Sequence, residues 1–61
     1  MNEIANLIRL IHPSATQDVL DAERALYDAQ DYLLSTLRND DAFNEYSEEA
    51  LWDAIKEITN N

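Results

Sequence analysis

The chain has 61 residues and carries thirteen Asp and Glu against four Lys and Arg, so its formal net charge is −9 at pH 7. A negative potential of this kind repels nucleic acids and anionic membranes and attracts basic protein surfaces, so we expect a protein partner and no direct binding to nucleic acid or membrane. With no Cys and one His, a disulfide is excluded and the Cys and His ligands of a structural metal site are lacking, so we predict no cofactor and no metal site.

The composition predicts an all-α protein. The chain has no Gly and a single Pro, so it lacks most of the residues on which hairpin turns depend. Its hydrophobic fraction of 46% is too high for a disordered acidic tail, and a chain this short has room for one core. We therefore expect a small helical bundle in a single domain, residues 1–61, with two or three helices at about 2–11, 15–38 and 47–59.

The first predicted helix covers about residues 2–11. Its apolar residues recur at the spacing that aligns side chains on one face: Ile4, Leu7, Ile8 and Ile11. Pro13 should end this helix, because proline disfavours helical geometry in the residue before it. The segment has no basic start, and Asn6 and Arg9 interrupt its apolar run, unlike a signal peptide or a membrane span. We therefore expect a cytoplasmic protein.

The second predicted helix, residues 15–38, is the long central element. Its small and apolar residues follow alternating steps of three and four, as in a coiled-coil seam. Self-association is expected through Val19, Ala22, Leu26, Ala29 and Leu33. A second apolar stripe repeats every seven residues at Leu20, Tyr27 and Leu34. Because two stripes need two packing partners and helix 1 is short, the third helix or a second copy should cover the rest, and we expect a homodimer.

Two polar residues, Glu23 and Gln30, lie seven residues apart between these stripes. One interpretation is that they fix the register of a homodimer or contact a basic partner, as isolated polar groups in a helical seam do. The simpler interpretation places them at a solvent-exposed lip between two packed helices. Both interpretations stay open on the sequence alone.

The last predicted helix has the clearest start in the chain. Ser47 is placed to cap it, and Glu48 and Glu49 follow in the first turn, where negative charge is favoured by the helix dipole. Its apolar face consists of Leu51, Ala54, Ile55 and Ile58. Residues 39–61 carry seven acidic residues and one basic residue, so the negative charge is concentrated in this C-terminal third.

The segment from Asp40 to Asp53 interleaves carboxylates with aromatic rings, which predicts a protein-binding surface. Its members are Asp40, Asp41, Phe43, Glu45, Tyr46, Glu48, Glu49, Trp52 and Asp53. Aromatic residues anchor the centres of interfaces, and complementary charge raises association rate and selectivity more than affinity. Alternatively, the acidic residues only cap and solubilise the last helix while the three rings fill a small core.

These patterns favour a small acidic regulator or inhibitor that docks on a basic surface of a target protein. In one form the carboxylates mimic nucleic-acid phosphates and occupy a nucleic-acid-binding site, since Lys and Arg accept either group. Small size, acidity and helicity are typical of phage-encoded inhibitors, antitoxins and assembly adaptors, although no motif supports that analogy.

Two alternatives from other classes remain. The chain could be a structural homo-oligomer or assembly adaptor whose charge only keeps it soluble, or an antitoxin-like partner that becomes ordered on binding. We do not expect an enzyme, because the chain has no thiol and no Gly-rich phosphate loop. His12 is interpreted as a helix-terminal residue, where a basic side chain favours the negative end of the dipole.

Overall fold

The structure is a computed structural model that describes residues 2–22 and 24–60. Over these ranges the fold consists of four α-helices and no strand: α1 (Glu3–Ile11), α2 (Pro13–Asp21), α3 (Leu26–Arg38) and α4 (Glu48–Thr59). The prediction of an all-α fold is confirmed, and the prediction of two or three helices is wrong. None of the described helices is both long and apolar enough to cross a membrane.

The start and end of α1 follow from local chemistry. The side chain of Asn2 accepts a hydrogen bond from the backbone N–H of Ala5 at 3.1 Å, which caps the first turn. The helix ends at Ile11, and His12 stands between it and Pro13, the first residue of α2. Proline suits that position because the first helical N–H has no intrahelical partner. The predicted break before Pro13 is therefore confirmed.

The predicted long helix over residues 15–38 is wrong, because the chain leaves helical geometry between α2 and α3. The backbone ψ angle is 84° at Ala22 and 40° at Ala25. A continuous helix over this range would be about 36 Å long at 1.5 Å per residue, which exceeds the 30 Å of the molecule's longest dimension. The break instead allows α2 to pack against α3. Glu23 lies outside the described residues.

Breaking the helix divides the predicted seam between two elements. Val19 of α2 and Leu33 of α3 are buried in the chain's own core, and Ala29 packs against that core. Ala22 is half-buried, whereas Leu26 is 39% exposed. Val19 and Leu33 therefore have almost no surface to offer to a second copy.

A single hydrophobic core joins the helices. Its buried apolar residues are Ala5, Ile8, Val19, Leu33, Leu34, Leu37, Phe43, Leu51, Ala54, Ile55 and Ile58. Among the described elements, α2 and α4 each contact the other three helices, while α1 and α3 contact only those two. The core therefore lies among all four helices, with α1 and α3 on separate flanks and most of the buried residues supplied by α3 and α4. Phe43 enters it from the loop between α3 and α4.

One polar contact inside the bundle links α3 to the last turn of α4. Gln30 is only 9% exposed, and its Nε2 donates a hydrogen bond to Thr59 Oγ1 at 2.9 Å. The Thr59 hydroxyl is also within hydrogen-bond distance of the Ile55 carbonyl, at 3.2 Å. A buried amide with a specific partner sets the register of the two helices. The exposed-lip interpretation is therefore wrong for Gln30.

Candidate protein-binding surface

The part of the molecule that best combines negative charge with aromatic surface is a shallow cleft between α3 and α4. We call it the acidic cleft, and six residues line it: Tyr27, Asp31, Leu34, Glu48, Glu49 and Trp52. Three of them carry carboxylates and two carry aromatic rings. Because half of the lining comes from each helix, the cleft exists only when α3 and α4 are packed together.

The α4 wall of the acidic cleft is built by the helix start that the sequence predicted. Ser47 Oγ accepts a hydrogen bond from the backbone N–H of Ala50 at 3.1 Å, so the predicted N-cap is confirmed. Glu48 and Glu49 therefore lie in the first turn, near the positive end of the helix dipole. Trp52 follows them by four and three residues, which places all three on one face.

The α3 wall uses the same helical spacing. Tyr27, Asp31 and Leu34 follow one another by four and three residues, so they share a face of α3. Leu34 is buried and forms the floor, while Tyr27 and Asp31 are exposed at the rim. The hydrogen bond between Gln30 and Thr59 connects the same two helices. The position of this wall therefore depends on the packed interior.

The two aromatic rings of the acidic cleft contact each other edge to face. The ring centroids of Tyr27 and Trp52 are 5.9 Å apart, with 66° between the ring planes. Trp52 is half-buried and packs against the core, whereas Tyr27 is 70% exposed. The Lys56 Nζ lies 5.8 Å from the centre of a Trp52 ring, within cation–π range. Trp52 is thus held in place while part of its surface remains open.

The carboxylates of the acidic cleft are only weakly neutralised. Arg38 Nη1 lies 3.5 Å from Glu48 Oε1, and both side chains are mostly exposed. An exposed pair of this kind contributes about 0–1 kcal/mol, because water and salt screen it. Within the described part of the chain, neither Asp31 nor Glu49 forms a salt bridge. The cleft therefore keeps a negative potential.

The structure divides the nine residues of the predicted surface among different environments. Glu48, Glu49 and Trp52 line the acidic cleft. Phe43 is fully buried in the core, so it is not available to a partner. Tyr46 is partly exposed beside it, with ring centroids 6.4 Å apart. Asp53 is exposed and lines a separate open depression near the start of α1.

The remaining three acidic residues lie in the loop between α3 and α4. Asp41 and Glu45 are exposed there. Asp40 is half-buried, and its Oδ2 lies 2.5 Å from His12 Nε2. Asp40 Oδ1 accepts a hydrogen bond from the backbone N–H of Ala42 at 2.9 Å. The loop is thereby tied to the junction of α1 and α2.

These contacts change the acidity of Asp40. The hydrogen bond from the Ala42 N–H, followed by that with His12, holds the pKa of Asp40 below its ordinary value of 3.8, while desolvation opposes this shift. The His12 ring also lies beside Phe43, at a centroid distance of 5.8 Å. Asp40 thus holds the loop over the core, and its carboxylate oxygens are already hydrogen-bonded to His12 and to the Ala42 N–H.

Sequence reasoning missed Tyr27 and Asp31 as members of the acidic cleft. The seven-residue repeat of Leu20, Tyr27 and Leu34 indicated a second packed stripe, but it did not show that Trp52 would meet Tyr27. Asp31 follows Tyr27 by one turn, so the repeat contained a usable signal for it. The sequence contained no such signal for the contact between His12 and Asp40, because the two residues are 28 positions apart.

Over residues 2–22 and 24–60, no group of three or more His, Cys, Asp or Glu side chains is placed to hold a metal ion. No protein-family model, no curated protein sequence and no solved structure matches the chain. The acidic cleft must therefore be interpreted from its own geometry and charge.

Proposed function

We propose that the protein is a cytoplasmic regulator or inhibitor that binds another protein stoichiometrically, with the acidic cleft against a basic surface of its target. The observation that carries this proposal is the position of Trp52. Trp52 is half-buried, and its ring contacts Tyr27 edge to face. It shares the cleft with the carboxylates of Asp31 and Glu49, which form no salt bridge with any Lys or Arg of the described chain. A fixed aromatic ring in a cleft that also holds the unpaired carboxylates of Asp31 and Glu49 suits a surface that contacts Arg or Lys.

The chemistry of such a contact follows from the geometry. An incoming guanidinium can stack on the exposed Tyr27 ring, where a cation–π contact contributes about 0.5–2 kcal/mol, depending on how far it is desolvated. The same group can pair with Asp31 or Glu49 through charge-assisted hydrogen bonds. Trp52 then provides the apolar centre that aromatic anchors supply in interfaces. The net charge of −9 steers the encounter.

A narrower form of the proposal specifies a target site that binds nucleic acid. Such sites consist of Lys and Arg arranged to accept phosphate oxygens, and carboxylates on a rigid helical scaffold offer the same charge. The acidic cleft places its three carboxylates on two packed helices, which provides that rigidity. In this form, nucleic acid competes with the protein for the target.

The test uses capture of proteins from a cell lysate on immobilised protein, followed by titration of each purified captured protein. Trp52→Ala should weaken binding by at least about tenfold, as loss of an aromatic anchor does. Tyr46→Ala is the matched control, because Tyr46 is also partly exposed but lies outside the acidic cleft. Binding should also weaken steeply as salt rises.

A second pair of variants separates the acidic cleft from net charge. The double variant Asp31→Asn, Glu49→Gln should slow association and flatten its salt dependence. The control double variant Asp41→Asn, Glu45→Gln removes the same charge from exposed positions in the loop. If both double variants weaken binding equally, charge alone attracts the target and the assignment to the acidic cleft is wrong. Addition of nucleic acid to the complex tests the narrower form.

A further inference from the structure

One face of α1 differs from the rest of the surface because its exposed apolar side chain lies in a segment whose formal charges balance. A groove along this face is lined by Glu3, Asn6, Leu7 and Leu10, which helical spacing places on one side of α1. We call these four residues the α1 face. Leu10 is 76% exposed, the largest fraction among the exposed large hydrophobic residues of the described chain.

Most exposed apolar side chains elsewhere adjoin acidic residues in the chain, and Leu26, which is 39% exposed, is the exception. Leu20, Tyr27 and Tyr32 are exposed, and each has an Asp immediately next to it in the chain, while Tyr46 follows Glu45. The chain neighbours of Leu10 are instead Arg9 and Ile11. Residues 1–13 contain one acidic and one basic residue, Glu3 and Arg9, so this segment has no net formal charge although the whole chain carries −9.

We propose that the α1 face binds the same face of a second copy of this chain. Two molecules of charge −9 repel each other, and the repulsion is smallest where the charge nearest the contact is balanced. A contact through Tyr27 or Tyr32 would bring the aspartates beside them together, whereas a contact through Leu10 would not. A twofold dimer requires the same patch on both subunits, and the α1 face supplies one.

The charge also argues against other occupants. An anionic membrane is repelled by the whole molecule, although Leu10 alone would suit it. A basic partner finds a stronger site at the acidic cleft, since the α1 face offers only the carboxylate of Glu3. A small domain with one thin core gains stability from association, and its buried seam residues Val19 and Leu33 cannot supply that contact.

The contact is small, so the dimer is weak. The nine residues of α1 give a helix about 13 Å long at 1.5 Å per residue. An interface of this length belongs with the smallest biological contacts, below about 1,200 Å² in total. Dimers should therefore form only in concentrated solution, and salt should strengthen them by screening the repulsion between two acidic molecules. This salt response is opposite to that expected at the acidic cleft.

The experiment is sedimentation velocity on the full chain from about 10 µM to 1 mM, a range suited to a contact of this size, at about 0.05 and 0.5 M NaCl, where screening lengths differ several-fold. The wild type should shift toward dimer with concentration, and more so at the higher salt. Leu10→Glu should weaken dimerisation by at least about tenfold, because it places two like charges in an apolar contact.

Leu20→Glu is the matched control, since it makes the same substitution at another exposed leucine, 46% exposed, on α2. It should dimerise as the wild type does. Any of four results would overturn the proposal. The wild type stays monomeric throughout, salt dissociates the dimer, both variants dimerise equally well, or both variants lose dimerisation. If Leu10→Glu alters the circular dichroism spectrum, Leu10→Gln repeats the test without added charge, and retained dimerisation by that variant would overturn it as well.

Discussion

The α1 face and the acidic cleft both expose apolar side chains, but they differ in the charge around them. Leu10 lies in a segment without net charge, and Tyr27 and Trp52 lie among three carboxylates. In our proposals, the same apolar chemistry therefore serves a contact with a second copy at one surface and a contact with a basic protein at the other. We expect local charge to decide which partner binds at each surface, and salt to have opposite effects on the two contacts.

The comparison also shows how each surface depends on the interior. The α1 face belongs to one helix, so it persists as long as α1 is held on α2 and α4. The acidic cleft is shared between α3 and α4, so it depends on the register between them. Variants of the interior should therefore affect the acidic cleft more than the α1 face, unless they unfold the whole domain.

The largest expected effect comes from Phe43→Ala, which should remove both surfaces by unfolding. Phe43 is fully buried, and truncating a buried Phe to Ala typically costs about 3–5 kcal/mol through lost burial and the cavity left behind. A domain of 61 residues has roughly 3–9 kcal/mol of stability in total at about 0.05–0.15 kcal/mol per residue. Urea denaturation measures the loss, and Tyr46→Ala is the partly exposed control. A loss below about 1 kcal/mol for Phe43→Ala would contradict its core position.

An intermediate effect is expected from Gln30→Ala, which should impair the acidic cleft and leave the α1 face unchanged. Removing the amide leaves α3 and α4 without their buried polar link, at a cost of about 1–2 kcal/mol. Target binding at the acidic cleft should weaken, while dimerisation through the α1 face should not change. A double-mutant cycle with Thr59→Ala isolates the pair, and we expect a coupling of about 0.5–1.5 kcal/mol. Additive single effects would mean that the bond does not set the register.

The smallest expected effect is on the pH dependence of stability, through the hydrogen bond between Asp40 and His12. Because the pKa of Asp40 is lower in the folded chain than its ordinary value of 3.8, Asp40 stabilises the fold above that pH. This contribution disappears as pH falls through the lower, folded pKa. Asp40→Asn should therefore flatten the loss of melting temperature below about pH 4 relative to the wild type.

Asp41→Asn is the control for this experiment, since Asp41 is exposed and accepts a long hydrogen bond, 3.4 Å, from Asn44. Thermal melts from about pH 2 to pH 7 span the ordinary pKa and the range below it. If Asp40→Asn and Asp41→Asn have the same acid profile, the contacts at Asp40 do not contribute to stability. The hydrogen bond between Asp40 and His12 lies at the junction of α1 and α2, and neither residue lines the acidic cleft.

Local chemistry in the sequence determined the helical class and two of the helix boundaries. Without Gly and with one Pro, the chain had few alternatives to helix. Pro13 ended α1 because it restricts the residue before it, and Ser47 began α4 because its hydroxyl accepts a backbone N–H. The position of Glu48 and Glu49 in the first turn of α4 follows from the same helix start. Each of these outcomes depends on groups within four residues of one another.

Only the tertiary structure decided where the central helix breaks and which aromatic rings stay at the surface. The residues around the break include Ala22 and Ala25, which favour helix, so propensity alone predicted continuity. Folding α2 back onto α3 buries Val19 within the chain, a gain that no local pattern measures. Phe43 became core, while Trp52 met Tyr27 at the acidic cleft, because burial depends on which distant surfaces meet. Side-chain spacing shows which residues share a helix face, but the packing partner of that face is set by the free energy of the whole chain.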